Sequence, residues 1–445
     1  MRGHPRLRKA QDITIRRFMR ALSFCQVSCA KYCPTAHRKK ITNEISSFRS
    51  ANIGNRELKI AYVAYYDLGR NTAATEHILA VVNGFAGSGH TIGLFSPVSF
   101  ARGVALGVEP IAIPAKHSLF FDRNVATALD AADCGFDMLY LRDFVGAAAI
   151  VRWAKSNGVP LIIEHNGLYH AEFPMMRGLK WRLALCYDDK WALGRRVRAA
   201  GANIVVAQPI AEFLAKRYNV GHERFRHIPN GADIEKFHPQ PDKMALRKKL
   251  GLAHADAFWI GYIGAMYPWH LLDNIIGAFE YIARRRNDII LFIGGDGPEC
   301  DRIFALARKS PVRDRIILKS PLPIEQSPEY TAAFDIGMAL MDPRVAPYCW
   351  QVKVNHYASC GVPGIVTKCR GFEPLEAAGA IVPAQDLACA GIAATIESLL
   401  DREKLAVLGA RARKFAEENL SWSGIVARIE NVVRTIMIGE NDGKV

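Results

Sequence analysis

Two side chains three residues apart carry the clearest chemistry. Lys353 and His356 lie within the run from Arg344 to Cys360, RVAPYCWQVKVNHYASC, between the apolar stretches DIGMALM and PGIVT. The spacing predicts a helix that begins near Gln351, with Lys353 in its first turn and His356 one helical step on along the same face. The first amides of a helix have no partner within it and sit at the positive end of its dipole. With an ammonium beside them they form an anion-binding centre suited to a phosphate. The same pattern also fits an ordinary helix with one solvated lysine.

A second cluster follows the apolar residues Leu161 to Ile163. Glu164, His165 and Asn166 close that run, Gly167 lets the chain turn, and His170 and Glu172 come next. Two carboxylates and two imidazoles within nine residues suit acid–base chemistry. The bland alternative is a set of histidines used for packing. A third group is glycine-rich. Gly294, Gly295, Asp296 and Gly297 follow DIILFI and make a loop that a ligand can approach closely. No Gly-Lys-Ser/Thr follows it, so it is not a P-loop, and the loop after Leu58 to Tyr66 lacks a full G-x-G-x-x-G. Cys25, Cys29, Cys33 and His37 recur every four residues. The close cysteine pair usual in zinc sites is missing, so no metal site is expected.

The elements that must hold these groups alternate. LKIAYVAYY reads as a buried strand, TAATEHILAVVNGFAGSG as a helix, and HTIGLFSP as the next strand. Further strands are expected at VEPIAIP, FDMLYL, PLIIEHNG and ANIVVA. A second series runs FWIGYIG, DIILFIG, RIILKSPLP, DIGMALM and PGIVT. Strand–helix–strand alternation builds doubly wound parallel sheets, whose ligands sit at the carboxyl ends of the strands. That edge receives Glu164, His165 and Asn166 in the first series, and Gly264 and Gly295 in the second. His90 falls at the opposite edge and is expected to be structural. Pro239 and Pro241 mark a linker. Residues 177–200 read as one basic helical region whose Trp and Leu pack, while its Arg and Lys either stay wet or face an anionic acceptor or membrane.

The chain has 445 residues, half of them hydrophobic, which is enough for two or three full cores. Its formal charge is +15. Residues 1–56 hold 13 Lys and Arg against Asp12 and Glu44, so they supply 11 of those 15 charges. Such an extension suits an anionic membrane surface. No compact nucleic-acid motif accompanies it, so no specific nucleic acid is expected. The ten cysteines show no framework spacing, which points to a reducing compartment. No apolar run is long enough for a membrane span.

Several motifs together give the chain a family likeness. They are Gly89-His90, the run Pro229-Asn230-Gly231 with Asp233 and Phe237, GYIGAMYPWHLLDNIIGAF, the stretch Phe292 to Glu299, KVNHYASCGVPGIVT, and Ser421-Trp422. In this order they resemble the family 4 glycosyltransferases, retaining enzymes of the GT-B fold, over about residues 58–434. The resemblance implies an α/β, GT-B chain of two facing Rossmann-like domains with a cleft between them. It implies a basic extension at 1–56, an acceptor domain at 57–238, a nucleotide-sugar domain at 239–410, and C-terminal helices at 411–445 packing back toward the first domain.

The resemblance also implies transfer of a sugar from a nucleoside-diphosphate sugar to a saccharide or lipid-linked acceptor, with no further cofactor. The expected place is cytoplasmic, peripheral at the inner face of the cell membrane. Gly264, His270, Gly295, Asp296, Lys353 and His356 would hold the donor. Asn166, His165, Lys353 and His356 would serve the reaction, with Asn166 aligning to the family's functional His position. A protonated His270 would help Lys353 meet the diphosphate. The departures are specific. The family's two Glu, eight residues apart, fall on Tyr348 and His356, and its phosphate-binding Arg and Lys fall on Ala265 and His270. Their loss leaves a second reading open, a GT-B-shaped binding or partner subunit without catalysis.

Overall fold

The computed structural model describes residues 56–439, apart from 71, 99, 101 and 132–134. The basic extension up to residue 55, with Cys25, Cys29, Cys33 and His37, lies outside the described residues.

The first sheet contains β1 (Lys59–Ala64), β2 (Thr91–Ser96), β3 (Val108–Ala112), β4 (Met138–Arg142), β5 (Leu161–His165), β6 (Ala202–Val205) and β7 (Phe225–His227). Its order is β3-β2-β1-β4-β5-β6-β7, with parallel neighbours. The second contains β8 (Phe258–Ile263), β9 (Ile289–Gly294), β10 (Ile316–Lys319), β11 (Ile336–Ala339), β12 (Gly364–Thr367) and β13 (Ile381–Ala384), in the order β10-β9-β8-β11-β12-β13, again parallel. Central strands are buried on both faces, as covered parallel sheets require. That is why their sequences are unbroken apolar runs. Three edge strands have no such run, the first being β3 with Glu109 and Pro110. β7 is three residues long and carries Arg226 and His227, and β13 is an edge strand containing Pro383. An edge strand tolerates proline because one of its sides makes no ladder.

The order reverses between β1 and β4 and between β8 and β11. Crevices open at such switch points. The loops after β8 and β11 lead to Gly264 and to the helix Val352–Ser359 respectively.

The chain crosses between the two units more than once. The helix Arg402–Asn419 packs against the helix Val352–Ser359 of the second unit, and the helix Trp422–Gly439 packs against Ala73–Gly87 of the first. Ile425, Val426, Ile429 and Val433 join the core under the first sheet. Gly84 makes room for them, since a Cβ there would strike Val426. Backbone bonds from Ala232 N–H to Leu420 O (2.7 Å) and from Trp422 N–H to Ala232 O (3.2 Å) tie the crossing.

Two expectations need adjustment. The linker after Pro241 folds at once into the helix Lys243–Lys249, where fully buried Arg247 bonds Asp335 at 2.7 Å. The 177–200 region is two helices, Leu179–Trp191 and Leu193–Ala199, broken at Ala192.

Candidate functional site

The crevice of the second sheet is built on glycine. The turn after β8 and the loop after β9 cross so closely that a Cβ on Gly295 would overlap the Gly264 carbonyl, and one on Gly297 would overlap the Met266 backbone. All three glycines have positive φ, at 144°, 128° and 143° for Gly264, Gly295 and Gly297. Met266 N–H bonds Asp296 O at 2.7 Å and locks the crossing. The Asp296 side chain is exposed and accepts the Gly297 N–H at 2.6 Å.

Lys353 reaches this crossing from the Val352–Ser359 helix. Its Nζ is buried, has no hydrogen-bond partner among the described residues, and lies 3.9 Å from the centroid of the Tyr262 ring. A Cβ on Gly264 would sit 3.3 Å from it. Burial drives the ammonium down to about 7. The helix itself begins at Gln351 with no side chain capping its amides. One helix thus carries an unpartnered amine in its first turn and amides that no side chain caps, an arrangement that favours an anion.

His270 does not add a second charge there. It is buried, and its Nδ1 accepts from Tyr267 N–H at 3.3 Å with the Tyr262 hydroxyl 3.0 Å away. Burial and then the charge of Lys353 push it well below its ordinary value, so it is neutral. The expectation of a protonated His270 is corrected.

His356 leaves the crevice altogether. Its ring stacks flat on Phe237, with centroids 3.7 Å apart, and its Nε2 lies 3.1 Å from Glu76 Oε2 of the first unit. Trp422 Nε1 donates to Glu76 Oε1 at 3.0 Å. Burial raises the Glu76 carboxyl, but His356 and Trp422 outweigh it and hold it below its ordinary value. The neighbouring crossing is polar and complete. Asn230 Nδ2 donates to Trp350 O (2.8 Å), Asn355 Nδ2 to Asn230 O (2.7 Å), and Trp350 Nε1 to Asn355 Oδ1 (2.9 Å).

On the first sheet, the cluster after β5 sorts itself by partners. His165 is 1% exposed, with Nδ1 3.1 Å from Asp143 and Nε2 3.0 Å from Asn203. Both ring nitrogens are committed and the ring does not line the cleft, contrary to expectation. A one-residue step along a strand changes the face, and His165 takes the interior one. Glu164 is also buried, 2.7 Å from His77 Nε2 and 3.1 Å from Arg142, with the Tyr140 hydroxyl donating at 2.8 Å. Burial raises it, but His77, Arg142 and Asn166 outweigh that and keep it ionised. His170 pairs with Asp189 at 2.9 Å. Asn166 gives its Nδ2 to Glu164 and keeps a buried Oδ1 with no partner.

Glu172 is what remains. Among the described residues it makes no ion pair, and burial raises its carboxyl to about 7. The cause is contact between the two units. Ala171, Met175 and Met176 pack with Tyr267, Trp269, Met341 and Cys349 across the cleft. Among the described residues, no group of three His, Cys, Asp or Glu is placed to hold a metal ion.

With this geometry in view, two family models match the chain, Glycosyltransferase Family 4 over residues 74–236 and Glycosyl transferases group 1 over 257–402. The chain belongs to the family 4 glycosyltransferases. It is 25% identical over 214 residues to a GDP-mannose-dependent alpha-(1-6)-phosphatidylinositol monomannoside mannosyltransferase of Mycolicibacterium smegmatis, covering 46% of this chain and 55% of that protein. It is 26% identical over 250 residues to a GDP-mannose-dependent monoacylated alpha-(1-6)-phosphatidylinositol monomannoside mannosyltransferase of Corynebacterium glutamicum, covering 54% and 64%. The matches thus span only about half to two thirds of these curated relatives. Among solved structures, Anabaena HepE in complex with UDP and glucose superposes with a TM-score of 0.67 at 17% identity, covering 85% of this chain and 99% of that one. Sucrose-phosphate synthase from Thermosynechococcus elongatus gives 0.68 at 17% identity, covering 86% and 100%. These likenesses establish the GT-B fold.

Within the family 4 pattern, both positions that usually carry Glu have become contacts between the units. His356 meets Glu76 and Phe237, and Tyr348 meets the Phe213 ring edge-on at 6.2 Å. Glu76 was invisible to sequence reasoning because it reads as one more polar residue on an amphipathic helix. The partner that gives it meaning lies 280 residues away.

Proposed function

We propose that the chain transfers a sugar from a nucleoside-diphosphate sugar to a saccharide or lipid-linked acceptor with retention of configuration, in polysaccharide or glycolipid synthesis. The single observation behind this is the buried, unpartnered Lys353 amine under the Gly264 turn, beside uncapped helix amides. A free ammonium is expensive to bury, and a diphosphate would supply the missing partner. In the reaction the bond from the anomeric carbon to the donor phosphate breaks. The acceptor oxygen bonds that carbon on the same face, and its proton passes to the departing phosphate. Lys353 and the helix amides meet the charge that develops. Gly264, Gly295 and Asp296 shape the floor of the donor site. Asn166 Oδ1 and Glu172 face the acceptor, where Glu172 orients its hydroxyl.

The names of the relatives favour GDP-mannose and a phosphoinositide-type lipid acceptor as first choices for assay. A lipid acceptor would place the protein at the inner face of a cell membrane, held peripherally, since no helix among the described residues is long and apolar enough to cross one. The test is a donor screen by mass spectrometry over lipid-linked and free saccharide acceptors, paired with calorimetry of nucleoside diphosphates. Transfer that disappears in Lys353→Met supports the reading. A second reading, a donor-binding subunit without transfer, is favoured by the diversion of both Glu positions into contacts between the units. Donor binding with no product on any acceptor would select it.

A further inference from the structure

The helix Leu179–Trp191 has a composition that its own packing does not explain. Its exposed positions are Leu179, Lys180, Arg182, Leu183, Cys186, Tyr187, Lys190 and Trp191. They recur at helical spacing and form one continuous face. Four of them are large apolar groups left in water: Leu179 is 68% exposed, Leu183 60%, Tyr187 40% and Trp191 50%. Three are cations, and none is an acid. Neither acid of the helix belongs to that exposed face, Asp188 being buried and Asp189 half-buried. Asp188 is fully buried against Arg196, with bonds of 2.7 Å, and Asp189 pairs with His170, Tyr218 and Arg217. Trp181 also packs inward, edge-on to Phe173 at 5.0 Å.

From this segregation we infer that the outer face of Leu179–Trp191 is a docking surface for an anionic lipid bilayer. A soluble surface helix puts charge of both signs outward and apolar groups inward. This helix puts apolar groups and cations outward together, the pattern of a helix lying in a membrane interface. Lys190 lies over the Trp191 ring, 4.9 Å from its centroid, so its charge stays level with the aromatic group that would enter the headgroup layer. The helix also starts beside the cleft. The helix starts two residues after Arg177, which reaches Glu299 of the second unit at 3.7 Å, and three after Met176, which packs across the cleft. A bilayer held there would present a lipid-linked acceptor beside Glu172. That purpose rests on the transferase reading, whereas the surface itself does not.

The experiment uses the full chain without donor. Binding is measured by co-sedimentation with vesicles of phosphatidylcholine containing phosphatidylglycerol, and with pure phosphatidylcholine. The chain should prefer the anionic vesicles. Lys180→Glu/Arg182→Glu/Lys190→Glu should weaken that binding at least about tenfold, and Leu183→Ser/Trp191→Ser should weaken it at moderate salt. All five sites are exposed, so melting should not change. Brominated lipids should quench tryptophan emission in the parent chain, and Trp191→Phe should remove most of that quenching while keeping binding. Unchanged binding in both multiple variants would overturn the inference and leave attachment to the basic first 56 residues. Undiminished quenching in Trp191→Phe would also overturn it, as would a lipid-free dimer that the same substitutions dissociate. Nucleoside-diphosphate affinity, read separately, should be the same in every variant, so failure here and failure of the donor site are distinguishable.

Discussion

Lys353 combines stability and ligand chemistry in one atom. Its folded value of about 7 lies below the ordinary 10.5. Between these values the unfolded chain holds the proton more tightly, so the ligand-free fold gains stability as pH rises from about 7 to about 10.5. Below that window the buried cation weighs against folding in full. Lys353→Met is therefore expected to raise the melting temperature at pH 7 and to weaken nucleoside-diphosphate binding by about 1.5–3 kcal/mol. A bound diphosphate would also draw a proton onto the amine. Calorimetry at pH 8 in buffers of different ionisation enthalpy should reveal uptake, and zero uptake would remove Lys353 from the phosphate. Glu172 behaves in the opposite sense. Its raised folded value means that stability falls as pH climbs from about 4.5 to about 7, and stays low above that. Glu172→Gln should flatten this slope and gain about 1–3 kcal/mol above pH 7. A variant with the parental pH profile would show that the carboxyl is solvated.

At the level of elements, the proposed donor floor depends on two loops that meet through their backbones. Gly295 has positive φ and no room for a methyl group over the Gly264 carbonyl. Gly295→Ala should separate the turn after β8 from the loop after β9, with a cost of about 1–3 kcal/mol from backbone strain before the overlap is counted. Nucleoside-diphosphate affinity should fall with it, because the Gly264 turn roofs the Lys353 amine. Thermal melting and calorimetry on the same sample would check both effects. Intact affinity would mean that the crossing does not form the binding floor.

For the whole molecule, the contact between the units is a hydrogen bond between His356 and Glu76 where the family keeps a carboxylate. Glu76 stands lower than an ordinary Glu, so its contribution is present above about pH 4.5 and is lost as pH falls through the folded value. Restoring the family residue by His356→Glu should therefore harm the protein, since two carboxylates would face each other beside Trp422. Destabilisation of about 1–3 kcal/mol is expected, with partial recovery in Glu76→His/His356→Glu. Small-angle scattering should show the single variant more open than its parent. A neutral or stabilising His356→Glu would contradict the clasp. Further bridges, Arg370 to Glu212 at 2.7 Å and Arg102 to Glu325 at 3.0 Å, are exposed and should contribute little alone.

Local order along the chain was enough for the two parallel sheets. A strand covered on both faces must be a short unbroken apolar run, and β8, β9 and β1 after Lys59 are such runs. The helix after β11 and the glycine loop after β9 were legible for the same reason, since capping, turning and burial act over a few residues. β7 and β13 were not, because three- and four-residue edge strands with Arg, His or Pro carry no periodicity to read. The roles of polar side chains escaped in a different way. His165, His270 and His356 look alike in a sequence, yet one is clamped between Asp143 and Asn203, one is neutral beside Lys353, and one clasps Glu76. Protonation and accessibility depend on the few ångströms around a group, and for these residues the neighbours come from other strands or from the other unit. Hydrophobic pattern is a property of sequence neighbours, whereas charge pairing and desolvation are properties of spatial neighbours that exist only once the two sheets have closed on each other.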